Sequence, residues 1–169
     1  VFDPATGEVA AEVRMASLDD VDTVVASARR SWPGWRAASL SKRTAVLFAF
    51  REAGSRRRDE LAEVISSQHG KVLSDAAGEV QRGLEVIEFA CGIPQLLKGG
   101  YTEQASTHVD VYSIRQPLGV TVGITPFNFP VMVPLWMCPV SIACGNAFIL
   151  KPSERDPGAA LLLAECWQQ

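Results

Sequence analysis

The 169-residue chain has no apolar run long enough to cross a bilayer. Its most apolar stretch, Val131 to Cys144, contains Pro134 and Pro139 and spans 14 residues, whereas a spanning helix needs about 20. No membrane anchor is expected, and the stretch reads as a buried helix. Positive charge is equally short: 16 Lys plus Arg stand against 19 Asp plus Glu, a net charge of −3. With no long run of one sign to hold a phosphate backbone, nucleic acid is a poor partner. The four cysteines, Cys91, Cys138, Cys144 and Cys166, show neither close pairing nor metal-ligand spacing, so they read as reduced thiols in the core and no metal is expected. No basic segment followed by an apolar one opens the chain, which makes the cytoplasm the default compartment. The glycine-rich turn of the usual dinucleotide fingerprint is missing as well, so composition alone names no nucleotide.

What is present is an ordinary core-forming composition, 47% hydrophobic, enough for roughly one domain. Val1 to Val13 suits a hairpin or extended segment turning at Pro4 and Thr6-Gly7. Ser17 with Asp20 three residues on resembles a capping box. Leu18, Val21, Val25 and Ala28 follow at helical spacing, predicting a helix that ends near Trp32-Pro33-Gly34. Ser41 opens a second helical region with Leu61, Val64 and Ile65 on one face, stopped at Gln68-His69-Gly70. There His69 is a cation-capable residue near a helix C-terminus. Ser74 begins a third helix with the stripe Val80, Leu84, Ile87 and Cys91. Glu79, Arg82, Glu85 and Glu88 are expected on its solvated charged faces. Leu97 to Ser106 reads as a loop, and Val109, Val111, Tyr112 and Ile114 as one strand.

The last third is the most informative. Val120 to Ile124 and Ala147 to Leu150 are short apolar runs suited to strands buried on both faces of a parallel sheet, with an apolar helix, Phe129 to Cys144, between them. The 31 residues from Val120 to Leu150 match one strand, crossover helix, strand unit. A further helix is expected from Pro157 to Gln169. Such a unit brings two loops to one sheet edge, outside the carboxyl ends of its strands. These are Thr125-Pro126-Phe127-Asn128-Phe129-Pro130 and Lys151-Pro152-Ser153-Glu154-Arg155. A carboxylate after the second strand can accept both ribose hydroxyls of an adenine dinucleotide while a lysine beside it donates. Lys151 and Glu154 suit that role, or are simply exposed loop charges. Asn128, between aromatics and prolines, either forms a turn or presents an amide to a developing oxyanion.

Several of these segments, taken in register, carry a family resemblance. Arg115-Gln116-Pro117-Leu118-Gly119-Val120, Thr125 to Pro130, Gly145-Asn146 and Lys151-Pro152-Ser153-Glu154 resemble the aldehyde dehydrogenase superfamily. Pro134-Leu135-Trp136-Met137 and Glu79-Val80-Gln81-Arg82-Gly83 are most similar to its methylmalonate-semialdehyde dehydrogenase branch. The resemblance covers essentially the whole chain, from Asp3-Pro4-Ala5-Thr6-Gly7 to Trp167.

The resemblance implies an α/β fold, the N-terminal part of an aldehyde dehydrogenase. Residues 1–106 would form an N-terminal hairpin and helical part of the NAD-binding domain, and 107–118 a strand of an oligomerisation sheet. Residues 119–169 would form the first, incomplete β-α-β unit of a Rossmann-like domain. Thr125 and Phe127 would line the cofactor groove, Lys151, Glu154 and Arg155 would hold the adenosine side of NAD, and Asn128 would serve the oxyanion hole. Arg82 would bind the substrate carboxylate, or make a surface salt bridge instead.

The implied reaction is oxidation of malonate or methylmalonate semialdehyde. A cysteine thiolate attacks the aldehyde, the thiohemiacetal gives hydride to NAD, and CoA takes the acyl group from the thioester with loss of carbon dioxide. None of the four cysteines stands in the family's nucleophile context, and apolar helical surroundings do not favour thiolates. The implied assembly is a homotetramer, and this chain alone is expected to be inactive, an N-terminal fragment. The alternatives are a hydrolytic NAD(P)-dependent aldehyde dehydrogenase and a non-catalytic binding or assembly relative.

Overall fold

The structure, a computed structural model, describes residues 1–168; Gln169, the last residue of the expected final helix, lies outside the described residues. At the N-terminus Phe2 and Val9 form an antiparallel bridge. Its turn is held by Asp3, whose Oδ1 accepts from the amides of Ala5 and Thr6. Helix α1, Leu18–Arg36, starts at the expected capping box between Ser17 and Asp20. It runs past Pro33, where the sequence suggested a stop. The last turn is retained because the indoles of Trp32 and Trp35 donate to the carbonyls of Gly145 and Ile142, at 3.1 and 2.9 Å. Tertiary contacts thus outweigh a local breaker.

The second helical region is two helices, not one. Helix α2 is Leu40–Arg56, capped by the Ser39 hydroxyl, and α3 is Arg58–His69, ended by Gly70 at φ +87°. Between them Arg57 leaves helical geometry and its guanidinium bridges Glu60 and Glu165. Helix α4, Leu73–Cys91, buries the expected stripe: Val80, Leu84 and Ile87 share a cluster with Phe50, Leu61 and Ile65, and Cys91 one with Leu47 and Ala143. A methyl group at Gly83 would stand 2.6 Å from Leu135 Cδ1, so only glycine lets α4 approach its neighbour this closely.

The expected loop Leu97 to Ser106 contains a strand. Strand β1, Tyr101–Ser106, pairs antiparallel with β2, Val109–Tyr112, across a bulge. Both strands are exposed along their whole length. The polar segment Tyr-Thr-Glu-Gln-Ala-Ser needs no apolar alternation because neither face is covered, so the periodic signal of a half-buried strand never arises. The hairpin joins residues on both sides of position 106.

Strand β3, Val120–Ile124, helix α5, Met132–Ala143, and strand β4, Ala147–Lys151, follow. The strands pair parallel and in register from Val120 with Ala147 to Ile124 with Lys151, as a single crossover helix requires. Gly145, at φ +90°, makes the turn between α5 and β4; a Cβ there would lie 2.7 Å from the buried Arg43 guanidinium. Asn146 braces the same corner, accepting from the Gly119 amide and donating to the Ser141 carbonyl. The strands are not buried on both faces as expected: Val122 is 58% and Ile124 72% exposed. Helices α1 and α5 both contact the two-stranded sheet but leave these two β3 side chains open. Helix α6, Gly158–Cys166, closes the described chain against α3. Among the described residues no helix is long and apolar enough to cross a membrane.

Asp156, just before α6, is buried, and neither of its carboxylate oxygens has a donor in hydrogen-bond geometry. Burial first, and then the nearby Glu79 charge, push its carboxyl from 3.8 up to about 6, with the Ser153 hydroxyl opposing the rise. The folded state therefore favours the protonated acid. Its contribution to stability is complete below about pH 4 and is lost as pH rises through about 6. Asp156→Asn should remove that loss, which is worth up to ~3 kcal/mol, since each tenfold change in proton affinity is worth roughly 1.4 kcal/mol. Thermal unfolding across this range tests the point: equal pH slopes for parent and variant would clear Asp156 of responsibility.

Candidate functional site

The two loops expected to converge do so. Beyond β3 the Thr125 amide donates to the Lys151 carbonyl at 3.1 Å, so the loop Thr125 to Pro130 leaves the sheet beside the loop that follows β4. Thr125 is 4% exposed, and its hydroxyl is buried without a partner. Phe127 projects outward, half exposed, with the Arg155 guanidinium 4.6 Å from its ring centroid. The two loops thus meet through a cation over an aromatic face. The Phe127 ring also lies at a shallow angle to that of His69, centroids 6.3 Å apart.

Lys151 and Glu154 form an ion pair at 2.9 Å, each side chain about half exposed. The Lys151 ammonium, by hydrogen bond first, and the Glu154 backbone amide next, hold the Glu154 carboxyl below its usual range. The structure therefore brings Thr125, Phe127, Lys151, Glu154 and Arg155 to one sheet edge. An anionic acceptor and a cationic donor stand there in water, above a proline-stiffened loop.

Asn128 sits at the apex of the first loop with its side chain exposed, and its amide makes no hydrogen bond among the described residues. Its carbonyl oxygen, by contrast, accepts from the Lys71 ammonium at 2.6 Å. Lys71 also pairs with Glu79 and stands 4.2 Å from the Phe129 ring centroid. Glu79 was expected on a solvated face of α4; the structure corrects this, since it is 0% exposed. Its Oε1 accepts from the amides of Val131 and Met132, at 2.9 and 3.2 Å. A carboxylate is favoured there because the first amides of a helix lack intrahelical acceptors and carry the positive end of its dipole. The legible signal was the small buried residues sharing its face, Ala76 at i−3 and Gly83 at i+4. They mark a close helix contact rather than a wet surface.

Arg82 is exposed on α4 and reaches α5, its Nε 3.3 Å from Met132 Sδ. It joins no ion pair among the described residues, so the alternative of a surface salt bridge is not what the chain adopts. Met132 lies in the same first turn of α5 that Asn128 precedes. Arg82 is thus placed at the Asn128 end of the site. His69 ends α3 with its Nδ1 buried and unpartnered. Burial, then the Lys71 charge, lower its pKa, which disfavours the helix-end cation the sequence suggested. Burial raises all four cysteine thiols, Cys138 to about 12, so none is a ready thiolate. No cluster of three metal-ligating side chains occurs among the described residues.

Comparison with known proteins agrees with this architecture over its full extent. The aldehyde dehydrogenase family pattern matches residues 1–169. The malonate-semialdehyde dehydrogenase of Pseudomonas aeruginosa is 47% identical over all 169 residues, which cover 34% of that protein. The acylating, mitochondrial methylmalonate-semialdehyde dehydrogenase of Arabidopsis thaliana is 48% identical over 98% of this chain and 27% of its own length. Among solved structures, methylmalonate-semialdehyde dehydrogenase from Oceanimonas doudoroffii superposes with a TM-score of 0.97 at 48% identity, over 99% of this chain and 34% of that one. A Sinorhizobium meliloti protein described as a methylmalonate-semialdehyde dehydrogenase and complexed with NAD gives 0.96 at 50% identity, again over 99% and 34%. The chain spans about a third of the length of these relatives. With the family pattern matched from end to end and the β-α-β edge built as described, the chain belongs to the aldehyde dehydrogenase family.

Proposed function

We propose that these residues supply the cofactor loops, the oxyanion donor and a substrate-binding arginine of an NAD-dependent, CoA-acylating (methyl)malonate-semialdehyde dehydrogenase. That enzyme would have the length of its relatives, with the cysteine nucleophile contributed by the remainder. The observation that carries the reading is the meeting, at one sheet edge, of the Thr125 to Asn128 loop with Lys151, Glu154 and Arg155.

The residues present suit an adenine dinucleotide. Thr125 offers a buried hydroxyl with no partner, and the Lys151–Glu154 pair is exposed. Glu154 would accept from ribose hydroxyls and Lys151 would donate to the same sugar. Phe127, braced by Arg155, would wall the groove. When bound, NAD supplies the acceptor for the substrate's hydride. Asn128 would aim its free amide at the oxyanion that develops as the aldehyde carbon becomes tetrahedral. Arg82, which pairs with no carboxylate among the described residues, would pair with the substrate's carboxylate in the bidentate manner suited to guanidinium. CoA then takes the acyl group from the cysteine thioester with loss of carbon dioxide. The exposed β1–β2 hairpin, with Tyr101, Val111 and Tyr112 facing solvent, would enter an oligomerisation sheet of a homotetramer. A cytoplasmic location belongs to the same proposal.

In the complete enzyme Glu154→Gln should weaken NAD binding by roughly 10- to 100-fold, because charge-assisted hydrogen bonds are worth about 1.5–3 kcal/mol. The fold should be unchanged. Isothermal titration with NAD tests this, and an unaltered Kd would leave Glu154 a solvated charge. Asn128→Ala should instead lower kcat by about 100-fold with little change in NAD affinity, as for a contact made mainly in the transition state. Equal losses in both quantities would contradict the oxyanion role. Turnover of malonate semialdehyde with NAD should require CoA and release acetyl-CoA and carbon dioxide. Equal rates of NADH formation without CoA would favour the hydrolytic alternative.

A further inference from the structure

Behind the exposed face of Asn128 lies a second set of charges that the reaction itself does not require. Lys71 and Glu79 are shielded from water, the Lys71 side chain 15% exposed and Glu79 not at all. Each makes contacts that converge on the backbone around Asn128. Glu79 holds the amides of Val131 and Met132, three and four residues beyond it. Lys71 holds the Asn128 carbonyl oxygen and lies over the ring of Phe129. Lys71 is itself anchored. It follows Gly70, whose φ of +87° turns the chain out of α3, and its own carbonyl accepts from the Ser66 hydroxyl at 2.7 Å.

A hydrogen bond to a peptide oxygen fixes the plane of that peptide, here the one joining Asn128 to Phe129. Pro126 and Pro130 restrict φ on either side of it. With the first turn of α5 held by Glu79, the backbone of Asn128 is fixed from behind, leaving its own side-chain torsions to aim the amide. We propose that Lys71 and Glu79 are a positioning pair. They set the direction of the Asn128 amide through its carbonyl and through the first turn of α5, without touching substrate or cofactor. The proposal rests on reading Asn128 as the oxyanion donor. Misplacing a reacting group by about 1 Å can cost on the order of 100-fold in rate, which is the lever such a pair controls.

The test is a double-mutant comparison in the complete enzyme, with Lys71→Met made in the parent and in Asn128→Ala. In the parent, Lys71→Met should lower kcat by about 10- to 100-fold with the NAD Kd unchanged. Lys71→Arg, which restores a cation with donors for both oxygens, should recover most of the rate. In the Asn128→Ala background Lys71→Met should cost no further kcat, since the group it aims is gone. An equal loss in both backgrounds, or no loss in the parent, would overturn the positioning role. Should Lys71→Met fail to fold, Lys71→Gln keeps a donor for Glu79 and serves the same comparison. If Asn128→Ala alone leaves kcat intact, the oxyanion reading fails. A crystal structure of the Lys71 variant then decides the positioning separately: an Asn128 amide displaced by about 1 Å supports it, and an unmoved one overturns it.

Discussion

Burial of the Glu79 carboxylate at the first turn of α5 is the constraint on which the arrangement of the site depends. Taking a carboxylate out of water costs several kcal/mol, and removing one partner from such a pair costs about 3–5 kcal/mol because the other charge is left uncompensated. Only a narrow geometry satisfies it. The Lys71 ammonium must approach from the end of α3, and the free amides of α5 must point at α4. Three helices are thereby held in relation to one another at the place where β3 delivers the loop carrying Asn128. Apolar packing tolerates small slides, but a buried ion pair with two helix amides on one oxygen has few alternatives of comparable energy. Gly83 extends the constraint along α4, since any side chain there would strike Leu135 and push α5 away.

The far end of α5 is fixed by different chemistry. The indoles of Trp32 and Trp35 donate to carbonyls at and just beyond its last turn. The Arg43 guanidinium, donating to the Arg36 carbonyl, sits against Gly145, where a side chain would not fit. A charge at the positive end and neutral donors at the carbonyl end suit the polarity of a helix. Held at both ends, α5 sets the parallel register of β3 and β4, and that register puts Thr125 beside Lys151. The sheet edge carrying Thr125 and Lys151 and the loop carrying Asn128 are therefore positioned by one helix.

How much of this could be read from the sequence varies with the kind of signal. The strands of the β3–α5–β4 unit were legible to within a residue and its helix to within three, since α5 starts at Met132 rather than Phe129, because two short apolar runs separated by an apolar helix with a Gly-Asn turn have few alternative readings. The convergence of Thr125, Phe127, Lys151, Glu154 and Arg155 followed from topology alone. Local rules lost where distant contacts decided. Pro33 should end α1, yet two indole hydrogen bonds more than a hundred residues away keep the last turn. The β1 strand carries no apolar alternation because it has no buried face. Glu79 was misplaced because a glutamate among Arg82, Glu85 and Glu88 follows the pattern of a solvated face. Its burial is decided by Lys71 eight residues earlier and by α5 some fifty residues later, and a helical repeat contains neither.

The two lysine–glutamate pairs of the site show how solvent divides the labour among identical residue types. Lys151 and Glu154 face water at the sheet edge, where ion pairs are weak because both groups are well hydrated when apart. A ligand that offers hydroxyls can therefore exchange with the contact between them at little cost, which suits residues that must bind and release. Lys71 is largely and Glu79 wholly shielded from water, and separating them would leave a buried carboxylate uncompensated. Nothing small can exchange with that contact, which suits residues that must stay where they are. Between the two pairs runs the loop from Thr125 to Pro130, joined to the outer one by the Thr125 amide and by Arg155 over Phe127, and to the inner one by the Asn128 carbonyl. The outer pair is thus open to exchange with groups from solvent, while the inner pair holds the Asn128 carbonyl through Lys71.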